Sequence, residues 1–261
     1  VRAATGETDF TTCPDSSAGC RACCVVSQSG NAQLDSVKMA RTRKTVFLQT
    51  HRAEFVRILK AEIQTAADLS AYYGFRIRFR LNVDSSIPWH AEEYGSIPQT
   101  FPDLEFYDYH PLRALNSRKH WRLTDIPQNL RICWSRKETD TWEAVEAADM
   151  PNLGLGIDSY HVFATQTDLS HLDLVDPSKI FFVQLSDFMW NEVRTPEERM
   201  ATARTFRVFP GEGVHTDAVA ELVMRLDRLG YGGDYSFEVF NDDYQQLPLE
   251  LVAQRARRSA W

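Results

Sequence analysis

Apolar residues recur at helical spacing across 52–73, where Phe55, Ile58, Leu59 and Ile63 fall on one side of a 3.6-residue repeat and Gly74 supplies a stop. The stretch 37–49 reads as a helix as well. From Phe75 the period falls to two: Phe75, Ile77, Phe79, Leu81 and Val83 alternate with arginines and an asparagine, which predicts a strand over 75–83. Two shorter runs, 104–109 and 130–134, follow turns that contain proline and read as strands. Beyond them the pattern predicts a helix over 142–148, strands over 153–157, 180–185 and 235–240, and helices over 215–229 and 248–258. Strand and helix mostly alternate, which argues for a parallel sheet flanked by helices, open or closed into a barrel. No internal repeat or low-complexity tract interrupts the pattern.

Composition narrows the class. With 43% hydrophobic and 25% charged residues the chain matches an ordinary globular protein, so disorder, collagen and coiled coil are set aside. A length of 261 residues suits one large domain or two small ones. The longest apolar run, about 180–183, is far short of the roughly 20 residues a membrane helix needs. The first 30 residues carry no basic segment followed by an apolar one, so no secretory signal is read there, and a cytoplasmic protein is expected.

Charge divides the chain. Residues 1–142 hold 19 Lys and Arg against 16 Asp and Glu, a net of +3, whereas residues 143–261 hold 10 against 20, a net of −10. The basic excess has no cluster beyond Arg41, Arg43 and Lys44, and the acidic part repels a phosphate backbone, so nucleic acid is not the expected partner. Cys13, Cys20, Cys23 and Cys24 crowd a Gly- and Ser-rich start and Cys133 stands apart. Thiolates at such spacing suit zinc or an iron–sulfur centre, but no second pair completes a zinc signature, so reduced thiols in a loop are the favoured reading.

In α/β folds functional groups gather at the carboxyl ends of strands. Here the strand 153–157 runs into Asp158, with Tyr160 and His161 just beyond. The strand 180–185 contains Gln184 and leads to Ser186 and Asp187, and 235–240 contains Glu238 and leads to Asn241, Asp242 and Asp243. Three successive strands therefore deliver oxygen donors, a set that a divalent cation such as Mg, Mn or Co accepts with positions open for substrate oxygens. Taken singly, the Asp could be a helix cap, the Gln a solvated residue and the Glu an ion-pair partner. Glu238 is the most demanding, since a carboxylate within a buried strand needs a partner or a metal.

The segments NLGLGIDSYH, KIFFVQLSD, RTFRVFPGEG and LGYGGDYSFEVFND, in that order, resemble the C-terminal half of the sugar phosphate isomerase/epimerase superfamily, a xylose-isomerase-like TIM barrel, and look closest to its 3-dehydroshikimate dehydratase branch. The resemblance covers about 141–261. It implies that Asp158, Gln184 and Glu238 are metal ligands, that His161 is an acid/base or substrate-contacting residue, and that Arg207 holds a substrate carboxylate through a charge-assisted bidentate contact. It also implies a fourth ligand, a Glu ending strand 4, which has no recognisable counterpart here.

The segments CPDSSAGCRACC, RFRLNVDSSIPWH, DLEFYDYHP and NLRICWSR resemble a phage and plasmid family known as gene product 88, over about 13–140. The two resemblances meet near 136–142, close to the change in charge, so the chain reads as a fusion of domains 1–140 and 141–261. With a further strand at about 205–209, seven strands are expected, one short of a closed eight-stranded barrel. The expected fold is α/β, an incomplete or irregular TIM-barrel-like parallel sheet with flanking helices. A half-barrel alone would leave apolar edges open, so it should pack on the N-terminal strands or on another copy, as a homo-oligomer would. Asp84 and Asp108, also at strand ends, could stand in for the missing ligand or serve as a cap and a turn residue.

The implied chemistry is that of a divalent-metal-dependent lyase or isomerase working through an enolate of a small hydroxy-carbonyl substrate. His161 would carry the proton, and Arg207 would favour a carboxylate-bearing substrate such as 3-dehydroshikimate. The alternative is a non-enzymatic protein of phage or plasmid origin with an incomplete metal site.

Overall fold

The computed structural model describes residues 12, 13, 16, 34–83, 85–110, 125–134 and 150–260; Cys20, Cys23, Cys24, Asp84 and the predicted helix 142–148 lie outside the described residues. Val1–Gly154 and Leu155–Trp261 form two compact units.

The first unit opens with α1 (Asp35–Thr50) and α2 (Arg52–Tyr73), separated by His51 alone, whose φ of −134° and ψ of 48° break the helical path. Gly74 ends α2 in the left-handed region, φ 71°, which only glycine adopts cheaply. Three strands, β1 (Arg78–Arg80), β2 (Glu105–His110) and β3 (Leu130–Trp134), follow in parallel, with Phe79 opposite Phe106 and Phe106 opposite Leu130. A one-turn helix, α3 (Ile97–Thr100), lies between β1 and β2. Phe106, Ile132 and Cys133 are buried, and a row of rings, Phe47 to Phe55 to Trp89, packs α1 and α2 on the loop after β1. Gly95 fits beneath α2 because a Cβ there would lie 2.3 Å from Val56 Cγ1.

The alternation over 75–83 yields a strand of only three residues. Phe75 and Val83 are exposed, so their apolar side chains reward no pairing at either end. After Arg80 the chain turns, held by Arg80 Nε donating to Asn82 O (3.0 Å) and Arg80 Nη2 donating to Val83 O (3.1 Å).

In the second unit β4 (Leu153–Asp158, whose first two residues belong to the first unit), β5 (Ile180–Leu185) and β6 (Tyr235–Phe237) run parallel, with Asp158 opposite Gln184 and Gln184 opposite Ser236. Four helices flank them: α4 (Ser159–Ala164), α5 (Pro196–Thr205), α6 (Thr216–Leu229) and α7 (Leu249–Ser259). In α6 the buried Val219, Leu222 and Leu226 recur at i, i+3 and i+7, the stripe a core-facing helix needs. Tyr160, Ala164, Phe188 and Val193 form a core cluster that Phe163 and Ala203 complete. The segment 205–209 does not form a strand as expected; it makes two isolated antiparallel bridges, Asp187 with Val208 and Phe206 with Asn241. Arg207, Val208 and Phe209 are buried there, whereas Phe206 is exposed.

The described strands are parallel and, within each unit, pair in chain order, with helices between β1 and β2, β4 and β5, and β5 and β6. This is the predicted α/β fold, an incomplete barrel-type succession of strands.

Asp108, on β2, is 4% exposed, and burial pushes its pKa from 3.8 up to about 7 against the hydrogen bonds of Asn82 and the Tyr109 N–H and the charge of Arg80. A carboxyl with a raised folded pKa keeps its proton where the unfolded chain has lost it. Its contribution to stability is therefore greatest below about pH 4 and falls until about pH 7. Urea unfolding at pH 5 and pH 8 should show Asp108→Asn gaining about 3 kcal/mol on the unaltered chain at the higher pH. A difference that does not change with pH would contradict this.

Candidate functional site

The site of the second unit begins with Asp158. As the last residue of β4 it caps α4, Oδ1 accepting from the Tyr160 N–H at 2.9 Å, so the capping alternative is realised. The cap turns the other oxygen towards Arg207, whose Nη1 donates to Asp158 Oδ2 at 2.9 Å.

Arg207 is 4% exposed. Its Nε donates to Ala203 O (2.8 Å) and its Nη1 also reaches Glu238 O (3.3 Å). The guanidinium lies over the Tyr160 ring at 4.5 Å and over Phe240 at 5.7 Å. Its main chain is fixed at the 206–241 bridge, the N–H donating to Phe240 O (3.1 Å) and the carbonyl accepting from Asn241 Nδ2 (2.9 Å). Arg207 thus faces Asp158 and two carbonyls, rather than standing free for a bidentate contact with a ligand.

Gln184, near the end of β5, donates from Nε2 to Glu238 Oε2 at 2.8 Å. Glu238 follows β6 directly, and its N–H continues the ladder to Leu185 O at 3.1 Å. His161 projects from the first turn of α4 with Nε2 3.8 Å from Asp158 Oδ2. Its ring is 64% exposed in side-chain area, yet the dense protein around it and then Arg207 hold its pKa below the usual imidazole value, against the pull of Asp158. Asp158, Gln184, Glu238, His161 and Arg207 are therefore joined by contacts at the carboxyl ends of β4, β5 and β6.

The residues that orient this group carried weaker sequence signals. Tyr160, buried with its hydroxyl pKa pushed up to about 12 chiefly by burial, and Phe240 supply the faces that hold Arg207. Asp187, also read as a strand-end donor, is fully buried and spent on structure. Its Oδ1 accepts the N–H groups of Phe188 (2.7 Å) and His215 (3.0 Å), and its Oδ2 accepts from Thr216 Oγ1 (3.2 Å). Gly213 is required there, since a Cβ would lie 2.4 Å from Asp187 Cγ. Asp108 belongs to the first unit, where Asn82 and the Tyr109 N–H take up its carboxyl.

Among the described residues no group of three or more His, Cys, Asp and Glu stands ready to hold a metal. A cation here would have to be taken by a mixed set, the carboxylates of Asp158 and Glu238 with the amide oxygen of Gln184. The set fits a hard divalent ion in kind, all three donors being oxygens, although Arg207 already shares Asp158.

The family described as gene product 88 matches residues 1–207. The chain belongs to this family. The match continues past residue 140, where the two sequence resemblances were read as meeting. This gene product 88 chain is also similar to a 3-dehydroshikimate dehydratase of Pseudomonas aeruginosa, 33% identical over 131 residues, which are 49% of the chain and 20% of that protein. An inosose isomerase of Halalkalibacterium halodurans is 33% identical over 119 residues, 44% of the chain and 38% of that protein. The chain therefore spans only about a fifth to two fifths of these relatives. Among solved structures it is similar to a xylose isomerase-like TIM barrel/4-hydroxyphenylpyruvate dioxygenase fusion protein, with a TM-score of 0.51 and 22% identity over 74% of the chain and 34% of that protein, a likeness of fold. No described helix is long and apolar enough to cross a membrane.

Breaking the pair of Arg207 and Asp158 leaves a buried charge unmatched, so Arg207→Ala and Asp158→Ala should each cost about 3 kcal/mol or more in urea unfolding. The double variant Asp158→Ala with Arg207→Ala should cost clearly less than the two single costs combined. Additive costs would mean that the two charges do not depend on each other.

Proposed function

We propose that the second unit carries the site of a divalent-metal-dependent lyase or isomerase that acts on a small hydroxy-carbonyl substrate through an enolate. The observation that carries this reading is the contact of Gln184 with Glu238, at 2.8 Å, beside an Asp158 that is the register partner of Gln184. Asp158, Gln184 and Glu238 are the proposed ligands of Mg, Mn or Co. When bound, such a cation supplies Lewis-acid stabilisation of the oxygen next to the carbon that loses a proton.

The protein supplies the rest. His161 has a lowered pKa and an exposed ring, so at neutral pH it is an uncharged base open to solvent and able to take that proton. Returning it to the same carbon on the opposite face gives epimerisation, returning it to the neighbouring carbon while the hydroxyl proton passes between the two oxygens gives isomerisation, and loss of a β-hydroxyl gives dehydration. The similarity to both a dehydratase and an isomerase supports a chemistry common to these outcomes. Arg207 would hold a substrate carboxylate once Asp158 is committed to the cation. Within this reading 141–261 carries the chemistry and 1–140 is a separate domain. In the same reading the protein is cytoplasmic and packs on a second copy of itself.

A second reading is favoured by the shared use of Asp158 and by the lack, among the described residues, of a group of three or more His, Cys, Asp and Glu. It makes the chain a non-enzymatic protein with an incomplete metal site.

Turnover separates the two. In the presence of Mn, Mg or Co, the chain should dehydrate 3-dehydroshikimate or isomerise inosose, and Glu238→Ala and His161→Gln should each lower kcat/KM by about 100-fold or more. Absence of turnover on both substrates with all three cations would favour the second reading.

A further inference from the structure

Two sequence runs take no part in the chemistry above: 82–90, which follows β1, and 106–109, within β2. In the first unit they meet. Asn82, 2% exposed, donates from Nδ2 to Asp108 Oδ2 and to Ile87 O (2.8 Å). Its Oδ1 accepts from the Ile87 N–H (3.0 Å), Ser85 Oγ (2.6 Å) and Trp89 Nε1 (3.2 Å). One asparagine thereby fixes the loop and the acid together, and its amide has no bonding capacity left over.

Among the described residues Asp108 has no cationic hydrogen-bond partner. Its Oδ1 accepts from the Tyr109 N–H (2.8 Å), and Arg80, though near, spends its guanidinium on Asn82 O, on Val83 O and on the face of Tyr109 at 4.2 Å. Asp108 lines a cavity of about 10 Å³ together with His90, which is 4% exposed, and with Trp89, Pro98 and Tyr107. A space of that size holds one water, and water is stable in such a place when polar groups surround it. Among the described residues the other titratable and charged groups around Asp108 are Arg80 on β1, Tyr107 and Tyr109 on β2, and Cys133 on β3, with Arg131 acting in turn on Cys133. The Cys133 thiol is pushed up to about 12 by burial and then by Asp108, so it stays protonated.

We propose that Asp108 and His90 form a proton-exchange site in the first unit, in which one buried water carries the proton between the carboxyl and the imidazole. The carboxyl gives its proton to the water oxygen as the water gives one of its own to a ring nitrogen. A carboxylate and an imidazolium result, and the water is unchanged. The total charge of the pair does not alter, so the transfer avoids placing a lone charge in the interior. Asn82 donates to the carboxyl in either state and ties it to the indole of Trp89, so the exchange has an optical reporter. The site is independent of Asp158, Gln184 and Glu238, and the cavity is too small for a metabolite.

The test is infrared difference spectroscopy of the whole chain between pH 5 and pH 9, with Trp fluorescence recorded alongside. A protonated-carboxyl band should persist above pH 6 and vanish with a midpoint near 7, and the fluorescence should follow the same midpoint. Asp108→Asn should abolish the band, and His90→Gln should move the midpoint by about one unit or more. If Asp108→Asn does not fold, the comparison of His90→Gln with the unaltered chain still decides. A midpoint unmoved in His90→Gln, a carboxyl titrating entirely below pH 5, or a dry cavity in a high-resolution crystal structure would each overturn the proposal.

Discussion

Arg207 is a full positive charge in the interior of the second unit, and it is tenable there only because the Asp158 carboxylate lies 2.9 Å away. Much of the site follows from that need. The guanidinium must reach the end of β4, so 205–209 bends to it through single bridges instead of laddering as a strand. Tyr160 and Phe240 are recruited to cover its faces, and Asn241 to hold its carbonyl. Asp158 then serves as helix cap and as ion-pair partner at once, one oxygen for each task. A cation drawn to Asp158 and Glu238 would compete with Arg207 for the same oxygen, which couples metal affinity to the position of this one side chain.

The first unit meets the same problem with a different answer. Asp108 also ends up buried near the carboxyl end of a parallel strand, but its side-chain partner is the neutral amide of Asn82. A neutral donor offsets less of the cost of burying charge than a guanidinium does, so Asp108 drifts up to about 7. Two strand-end acids with similar sequence settings are thus held by different partners, one by a guanidinium and the other by an amide.

This difference marks what the sequence could disclose. The helices 52–73 and 215–229 and the strands 130–134 and 180–185 were legible because a single period governs each of them and a glycine closes each of the two helices. The donors Asp158, Gln184 and Glu238 were legible because they stand where parallel strands end. The strand 75–83 was overestimated, since alternation records which residues could pair and not where burial stops. The helix α5 was overlooked although Thr195 and Glu198 form a capping box. What no local pattern held was partnership: Arg207 lies 49 residues from Asp158, and Gln184 lies 54 from Glu238. Whether an acid is tied to a guanidinium, an amide or the other donors of a site depends on such long-range pairs, and they arise only from the packing.

The proposed chemistry depends above all on Asp158, Gln184 and Glu238 acting as one set of oxygen donors. The most direct measurement is a crystal structure of the chain soaked in Mn, read by anomalous scattering. The prediction is a single peak about 2.0–2.6 Å from oxygens of all three residues, lost in crystals of Glu238→Ala. Undisturbed contacts of Arg207 with Asp158 and of Gln184 with Glu238, with no anomalous peak beside them, would contradict it.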